Sequence, residues 1–163
     1  MGSRSENEMG GIAKKISESL QELIIGISTK GEVITVQVKP ESLIEAAKRL
    51  KDMGFDHVKS VTATDFPEQK ELEVTYHISS LGDLELAKVI VALKTRVSSD
   101  DPRIPSLVEI WPSSKYPERE EHEMLGVIFE GHPELERLLL PEDYEGPPPL
   151  RKEFKVRTEG IQG

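Results

Sequence analysis

Apolar and polar side chains alternate through Glu71-Leu72-Glu73-Val74-Thr75-Tyr76-His77-Ile78. A period of two places the apolar members on one face of a β-strand and the polar members on the other. The same alternation recurs in residues 89–97 and in the β-branched segment 33–38, and residues 55–64 form a fourth predicted strand. Because the polar face is suited to solvent, we expect helices to cover the sheet on one face only.

Two predicted helices complete the first part of the chain. Apolar residues from Ile12 to Ile27 recur at three- and four-residue spacing, which predicts an amphipathic helix over about 11–25. Pro40 can begin a second helix over about 41–53, which Gly54 ends. The order α-β-α-β-β-β predicts an α+β fold, with a mixed or antiparallel sheet, helices packed on one face and an extended C-terminal arm.

Composition changes along the chain and predicts four segments. The polar residues 1–9 suggest a flexible tail, and residues 10–97 form the compact α+β domain. Residues 98–140 are interpreted as a motif-bearing helical extension, and residues 141–163, with four prolines and few core-forming residues, as a Pro-rich C-terminal arm. Such an arm cannot build a core of its own, so it is disordered or lies along another surface.

The extension contains two helix-start patterns. Ser106 stands three residues before Glu109, a capping-box spacing that predicts a short helix through Trp111. Pro117 can lie in the first turn of another helix, which ends at Leu125 with a glycine behind it.

Overall composition limits the function. The 163 residues carry a net charge of −9, which disfavours nucleic acid and anionic lipid as partners, and no apolar run is long enough for a membrane span. The absence of cysteine excludes disulfides, thiolate zinc sites and iron–sulfur ligation in this chain. The 23 Glu and 13 Lys beside a single Asn are typical of proteins from hyperthermophiles.

Ionisable residues are densest in the segment 118–123, where three interpretations remain open. A solvated helix with ion pairs, such as Arg119 with Glu123, is the simplest and would suit a generic acidic interaction domain. A free-standing carboxylate/histidine enzyme would use Glu118, Glu120 and His122. A metal site would combine Glu118 and His122 with His132, although the spacing matches no two-histidine zinc motif.

The segment 105–154 resembles a known family. The residues that carry the resemblance are Glu118-Arg119-Glu120, Glu123-Met124-Leu125-Gly126-Val127, Phe129-Glu130-Gly131-His132-Pro133-Glu134-Leu135, Leu138-Leu139-Leu140-Pro141-Glu142-Asp143-Tyr144-Glu145-Gly146 and Pro149-Leu150-Arg151-Lys152-Glu153. They are similar to the signature of the 30-kDa subunit of respiratory complex I. That family includes the corresponding subunits of energy-converting membrane-bound hydrogenases and related complexes.

The sequence departs from the family pattern at a few positions. Tyr116 replaces a usual Trp, Glu123 and Glu153 replace Asp, and Leu125 replaces Phe. Glu136 stands where a basic residue is expected. The reversed charge and the thermophile-like composition favour an archaeal hydrogenase-type or sulfur-reducing relative.

The resemblance implies an accessory subunit without a cofactor of its own, in the peripheral arm of a membrane-associated electron-transfer complex. Its partners would be the large (49-kDa-like) subunit and the iron–sulfur small subunit, which would hold the iron–sulfur clusters or a NiFe centre. The chain would lie on the cytoplasmic side of the membrane without spanning it. The residues expected at the partner interface are Trp111, Tyr116, Glu118, Arg119, Glu120, Glu123, His132, Leu150, Arg151, Lys152 and Phe154.

Overall fold

A computed structural model describes the backbone of residues 2–135 and the side chains of residues 8–135. Its helices are α1 (Gly2–Ser19), α2 (Leu43–Asp52) and α3 (Lys115–Leu125), and short 3₁₀ helices at Pro40–Ser42 and Pro112–Ser114 precede the last two. Its strands are β1 (Ile24–Lys30), β2 (Val33–Val38), β3 (His57–Phe66), β4 (Glu71–Ser79), β5 (Ile90–Ser98), β6 (Arg103–Pro105) and β7 (Ile128–Glu130).

The main sheet has five strands in the order β1-β2-β5-β4-β3. Strands β2 and β5 are parallel, and the other neighbours are antiparallel. The register places Val36 beside Leu93, Leu93 beside Tyr76, and Tyr76 beside Val61, so one apolar row crosses four strands. This mixed sheet with three helices confirms the predicted α+β class.

The predicted alternation decides which face of the sheet is covered. The apolar row of β4 is fully buried and shares one hydrophobic core with Ile16 of α1 and Leu50 of α2. The other face carries polar side chains, and Glu73 and Thr75 of β4 are buried there without a covering helix among residues 2–135. Arg96 pairs with Glu73 on this face at 3.0 Å. No helix in the described part of the chain is long and apolar enough to cross a membrane.

The first predicted helix is wrong at both ends. Helix α1 begins at Gly2, within the segment 1–9 that we predicted as a tail, and Met9 packs into the core at 8% exposure. The helix ends at Ser19, and residues 24–30 form the strand β1 instead, which turns at Gly31 (φ 62°) to pair with β2. The isoleucines of this segment fit a helical spacing, but β-branched residues around Gly26 are better suited to a strand.

The extension after residue 97 is less helical than predicted and does not stand apart. Residues 108–110 form a turn in place of the helix expected from the capping-box pattern, and two short strands, β6 and β7, pair in parallel. Helix α3 is confirmed, with Gly126 in the left-handed conformation (φ 78°) at its end. Apolar side chains of the extension, including Ile104, Leu107 and Phe129, belong to the same core as the sheet. The expected arm 141–163 lies outside the described residues.

Candidate partner interface

The inner side of α3 is fixed by Glu118, which is 0% exposed. Its Oε2 accepts hydrogen bonds from the Tyr76 hydroxyl (2.7 Å) and the Leu107 backbone N–H (2.9 Å), and its Oε1 accepts one from the Ser106 hydroxyl (2.6 Å). These three donors come from β4 and from the segment before α3. The carboxylate therefore ties the helix to the sheet and to the segment at Ser106.

Burial and hydrogen bonding act in opposite directions on this carboxyl. Burial raises the pKa of Glu118, while the hydrogen bonds from Ser106, Leu107 and Tyr76 favour its charged form. Burial, and then the charge of Glu118, raises the pKa of the Tyr76 phenol well above its ordinary value. Tyr76 therefore stays a neutral donor to the carboxylate.

Trp111 anchors the segment before α3. It is fully buried, and its indole Nε1–H donates to the Phe55 carbonyl at 2.9 Å. Nearby, the Val58 N–H donates to Ser113 Oγ at 2.9 Å, and Lys51 Nζ donates to the Ile110 carbonyl at 2.8 Å. These bonds join α2 and β3 to the chain that leads into α3, so the helix starts from a fixed point.

His132 fixes the far end of the motif against the same helix. Its Nε2 lies 2.7 Å from the Lys115 carbonyl, and the Glu134 N–H donates to its Nδ1 at 3.1 Å. Since Nδ1 accepts, these partners assign the ring proton to Nε2. Glu134 pairs with Lys115 (3.1 Å) and with Arg119 (3.0 Å), and both cations lower its pKa. The turn at residues 132–134 is thus joined to the first half of α3.

The outer side of α3 is exposed. Tyr116 is 62% exposed and Met124 46%, and Glu120 lies between them on the same face at four-residue spacing. Glu123 is also exposed and accepts a hydrogen bond from Arg119 at 3.3 Å, as the ion-pair interpretation predicted. One helix therefore combines a fixed inner side with an outer side that presents an aromatic ring, a thioether and carboxylates. We call Tyr116, Glu120, Glu123 and Met124 the α3 surface.

The expected interface residues fall into three groups. Tyr116, Glu120 and Glu123 are exposed, and Arg119 is partly exposed but engaged with two glutamates of its own chain. The fully buried residues are Trp111, Glu118 and His132. The residues that lie outside the described part of the chain are Leu150, Arg151, Lys152 and Phe154.

The buried group differs from expectation. We expected Glu118 to lie at the partner interface, but it is fully buried and the three donors that it contacts belong to its own chain. The sequence did not predict the hydrogen bond from Tyr76 to Glu118, because a tyrosine in an alternating strand is counted as an apolar residue. It also did not predict Met124 as a surface residue, although its spacing of eight from Tyr116 was a usable signal.

The structure does not assemble the alternative enzyme site. Glu118 is enclosed on the inner side of α3, whereas Glu120 is exposed on the outer side. His122 Nδ1 lies 2.8 Å from the Val127 carbonyl oxygen. Among residues 8–135, no group of three or more His, Asp or Glu side chains could hold a metal ion.

Comparisons with known proteins identify the family. Residues 36–160 match the model of the respiratory-chain NADH dehydrogenase 30 Kd subunit. The C subunit of the NADH-quinone oxidoreductase of Roseiflexus castenholzii is 32% identical over 92% of this chain and 86% of its own length. The C subunit of the F(420)H(2) dehydrogenase of Methanosarcina mazei is 38% identical over 75% of each chain.

A solved structure agrees with the sequence relatives. A chain of the membrane-bound sulfane sulfur reductase, described as an archaeal respiratory membrane complex, superposes with a TM-score of 0.76 and 26% identity, over 90% of this chain and 85% of its own. The family expected from the motifs is confirmed. The chain belongs to the family of the respiratory-chain NADH dehydrogenase 30 Kd subunit and is a subunit of a complex I-related oxidoreductase.

Proposed function

We propose that this chain is an accessory subunit that packs against the large (49-kDa-like) subunit of its complex through the α3 surface. The observation that carries the proposal is the combination of an exposed tyrosine and methionine with a helix whose inner side is fixed by Glu118. A rigid helix loses little conformational freedom on binding, and aromatic and methionine side chains are enriched at protein interfaces.

We further propose that the chain supplies neither catalytic residues nor a cofactor. Electron transfer would belong to its partners, namely the large subunit and an iron–sulfur small subunit that hold iron–sulfur clusters or a NiFe centre. The lack of cysteine throughout the sequence supports this division, because thiolates are the usual ligands of such clusters. The chain would sit on the cytoplasmic side of the membrane, as a peripheral part of a membrane-bound complex.

The C-terminal residues 141–163 are proposed to bind the same large subunit. The family match continues to residue 160, so this segment belongs to the family pattern despite its four prolines and scarcity of core-forming residues. Leu150, Arg151, Lys152 and Phe154 offer apolar and cationic contacts for an extended segment that docks on another surface. A chain that ends at Leu140 should therefore bind the large subunit more weakly than the full chain does.

The α3 surface is tested by co-purification with the large subunit after co-expression. Tyr116→Glu and Met124→Glu should each lower the recovery of the large subunit by about tenfold, the loss expected for an interface anchor. The matched control is Leu84→Glu, because Leu84 is an apolar residue at 91% exposure in a loop outside α3. All three variants should keep the melting temperature of the isolated chain. If Tyr116→Glu and Met124→Glu recover as much of the large subunit as Leu84→Glu does, the proposal is contradicted.

A further inference from the structure

The two edges of the main sheet differ in how far other parts of the chain cover them. At the β3 edge, the backbone N–H of Val58 donates to the Ser113 hydroxyl at 2.9 Å, and α3 and the short 3₁₀ helix at Pro112–Ser114 pack beside the strand. Side chains and helices thus occupy the groups that an edge strand would otherwise offer to another chain.

Helix α1 contacts β1, but among residues 8–135 no side chain donates to or accepts from the outward backbone groups of residues 26–30. Residues 26–30 pair with β2 in a regular ladder, and alternate backbone groups of an edge strand point away from the sheet. Ile25 is 57% exposed and Ile27 37% exposed. The run from Ile24 to Thr29 contains neither a charge nor a proline, two of the devices that protect an exposed edge. A β-bulge between Ile24 and Gly26 is a third such device, but it leaves residues 26–30 in regular pairing with β2.

We propose that the free edge of β1 takes up an extended segment of a partner subunit as a sixth strand. Main-chain hydrogen bonds would hold that segment, and Ile25 and Ile27 would contact its side chains. Because the edge is uncharged over six residues, the complementary segment is uncharged and rich in β-branched or other apolar residues. The inference rests on the proposed role of this chain within a complex, but it concerns a surface separate from α3.

The size of the edge argues against a second copy of this chain as the occupant. Seven residues extend about 23 Å, and with side chains about 10 Å tall the edge offers roughly 230 Å². A stable dimer needs about 800 Å² on each partner. A strand from a subunit that is already bound to this chain at another surface can bind through a smaller area, because its second contact forms at high effective concentration.

Hydrogen–deuterium exchange tests the added strand without altering the protein. The free chain and the parent complex purified from its native source are compared by mass spectrometry. Amides in residues 25–30 should exchange at least about tenfold more slowly in the complex, because the outward N–H groups gain partners. The exposed turn at residues 67–70 is the internal reference. Unchanged exchange in residues 25–30 would overturn the inference.

A pair of substitutions separates this surface from α3. The double variant Ile25→Lys and Ile27→Lys should lower recovery of the complex by about tenfold, whereas Ile44→Lys, at 39% exposure on α2, should not. If the β1 variant assembles normally while Tyr116→Glu does not, the sixth strand is wrong and the proposed function stands. If only the β1 variant fails, the edge is the interface and the α3 surface is wrong. A dimer of the free chain in light scattering, abolished in the β1 variant, would assign the edge to self-pairing and overturn the inference.

Discussion

Truncation of Glu118 tests whether the buried carboxylate holds α3 in place. Glu118→Ala leaves two enclosed donors without an acceptor, the Tyr76 hydroxyl and the Leu107 N–H. Each unsatisfied donor costs about 1–3 kcal/mol, so the expected loss in the free energy of unfolding is about 4 kcal/mol. For a chain of this length that loss lowers the melting temperature by about 8–16 °C.

The conservative variant separates charge from shape. Glu118→Gln keeps a carbonyl oxygen for Tyr76 and Leu107, and its amide can donate to Ser106 if that hydroxyl rotates. Glutamine makes weaker hydrogen bonds than a carboxylate, but it also avoids the cost of burying a charge. We therefore expect the free energy of unfolding to fall by only about 1 kcal/mol. Urea unfolding of the isolated chain measures both variants. A loss below about 1 kcal/mol for Glu118→Ala would refute the anchoring role.

Comparison of the wild type with Glu118→Gln also tests how stability depends on pH. Burial raises the folded-state pKa of Glu118 above its ordinary value of 4.5, so this group contributes most to stability below pH 4.5. That contribution is lost as pH rises through the folded-state pKa, whereas Glu118→Gln has no group to titrate. The stability of the wild type relative to Glu118→Gln should therefore fall as pH rises above 4.5. If the difference in unfolding free energy between the two proteins does not change with pH, the pKa of Glu118 is not raised.

Three further predictions concern separate parts of the fold. Trp111→Phe should lower the free energy of unfolding by about 2 kcal/mol in urea titrations, because the buried Phe55 carbonyl loses its donor at 2.9 Å. Gly126→Ala should cost about 1 kcal/mol and lower the melting temperature, since a φ of 78° is unfavourable with a Cβ atom. Burial and the nearby Lys94 lower the pKa of His77, so the wild type should lose stability relative to His77→Gln as pH falls below 6.5.

The sheet was predictable because its alternation is a local property. Leu72, Val74, Tyr76 and Ile78 identify the apolar face of β4, which joins the hydrophobic core, without reference to any other part of the chain. The strand β1 was not predictable in the same way. Its isoleucines fit a helical stripe that runs on from α1, and only pairing with β2 across the turn at Gly31 selects the extended conformation. Tertiary pairing therefore decided the conformation of a segment whose apolar spacing favoured a helix.

The roles of the motif residues were harder to predict than the fold, because the motif mixes buried and exposed residues. Glu118 and Glu120 are two positions apart, a spacing that places them on different sides of a helix. One is enclosed by Tyr76, Ser106 and Leu107, and the other is exposed on the α3 surface. The family resemblance placed both Glu118 and Glu120 at the partner interface. The burial of Glu118 shows that it supports the helix instead.

This division determines how assembly experiments on the family motif must be interpreted. If α3 binds the large subunit as proposed, a substitution at Glu118 should weaken binding by loosening the helix, and the loss of the large subunit should follow the loss of stability in the isolated chain. A substitution at Tyr116 should remove a proposed contact from an intact helix, so binding should fall while the melting temperature stays unchanged. Measured together, the two quantities separate a supporting residue from a contact residue, and Glu120 should behave like Tyr116 because it lies on the same exposed face.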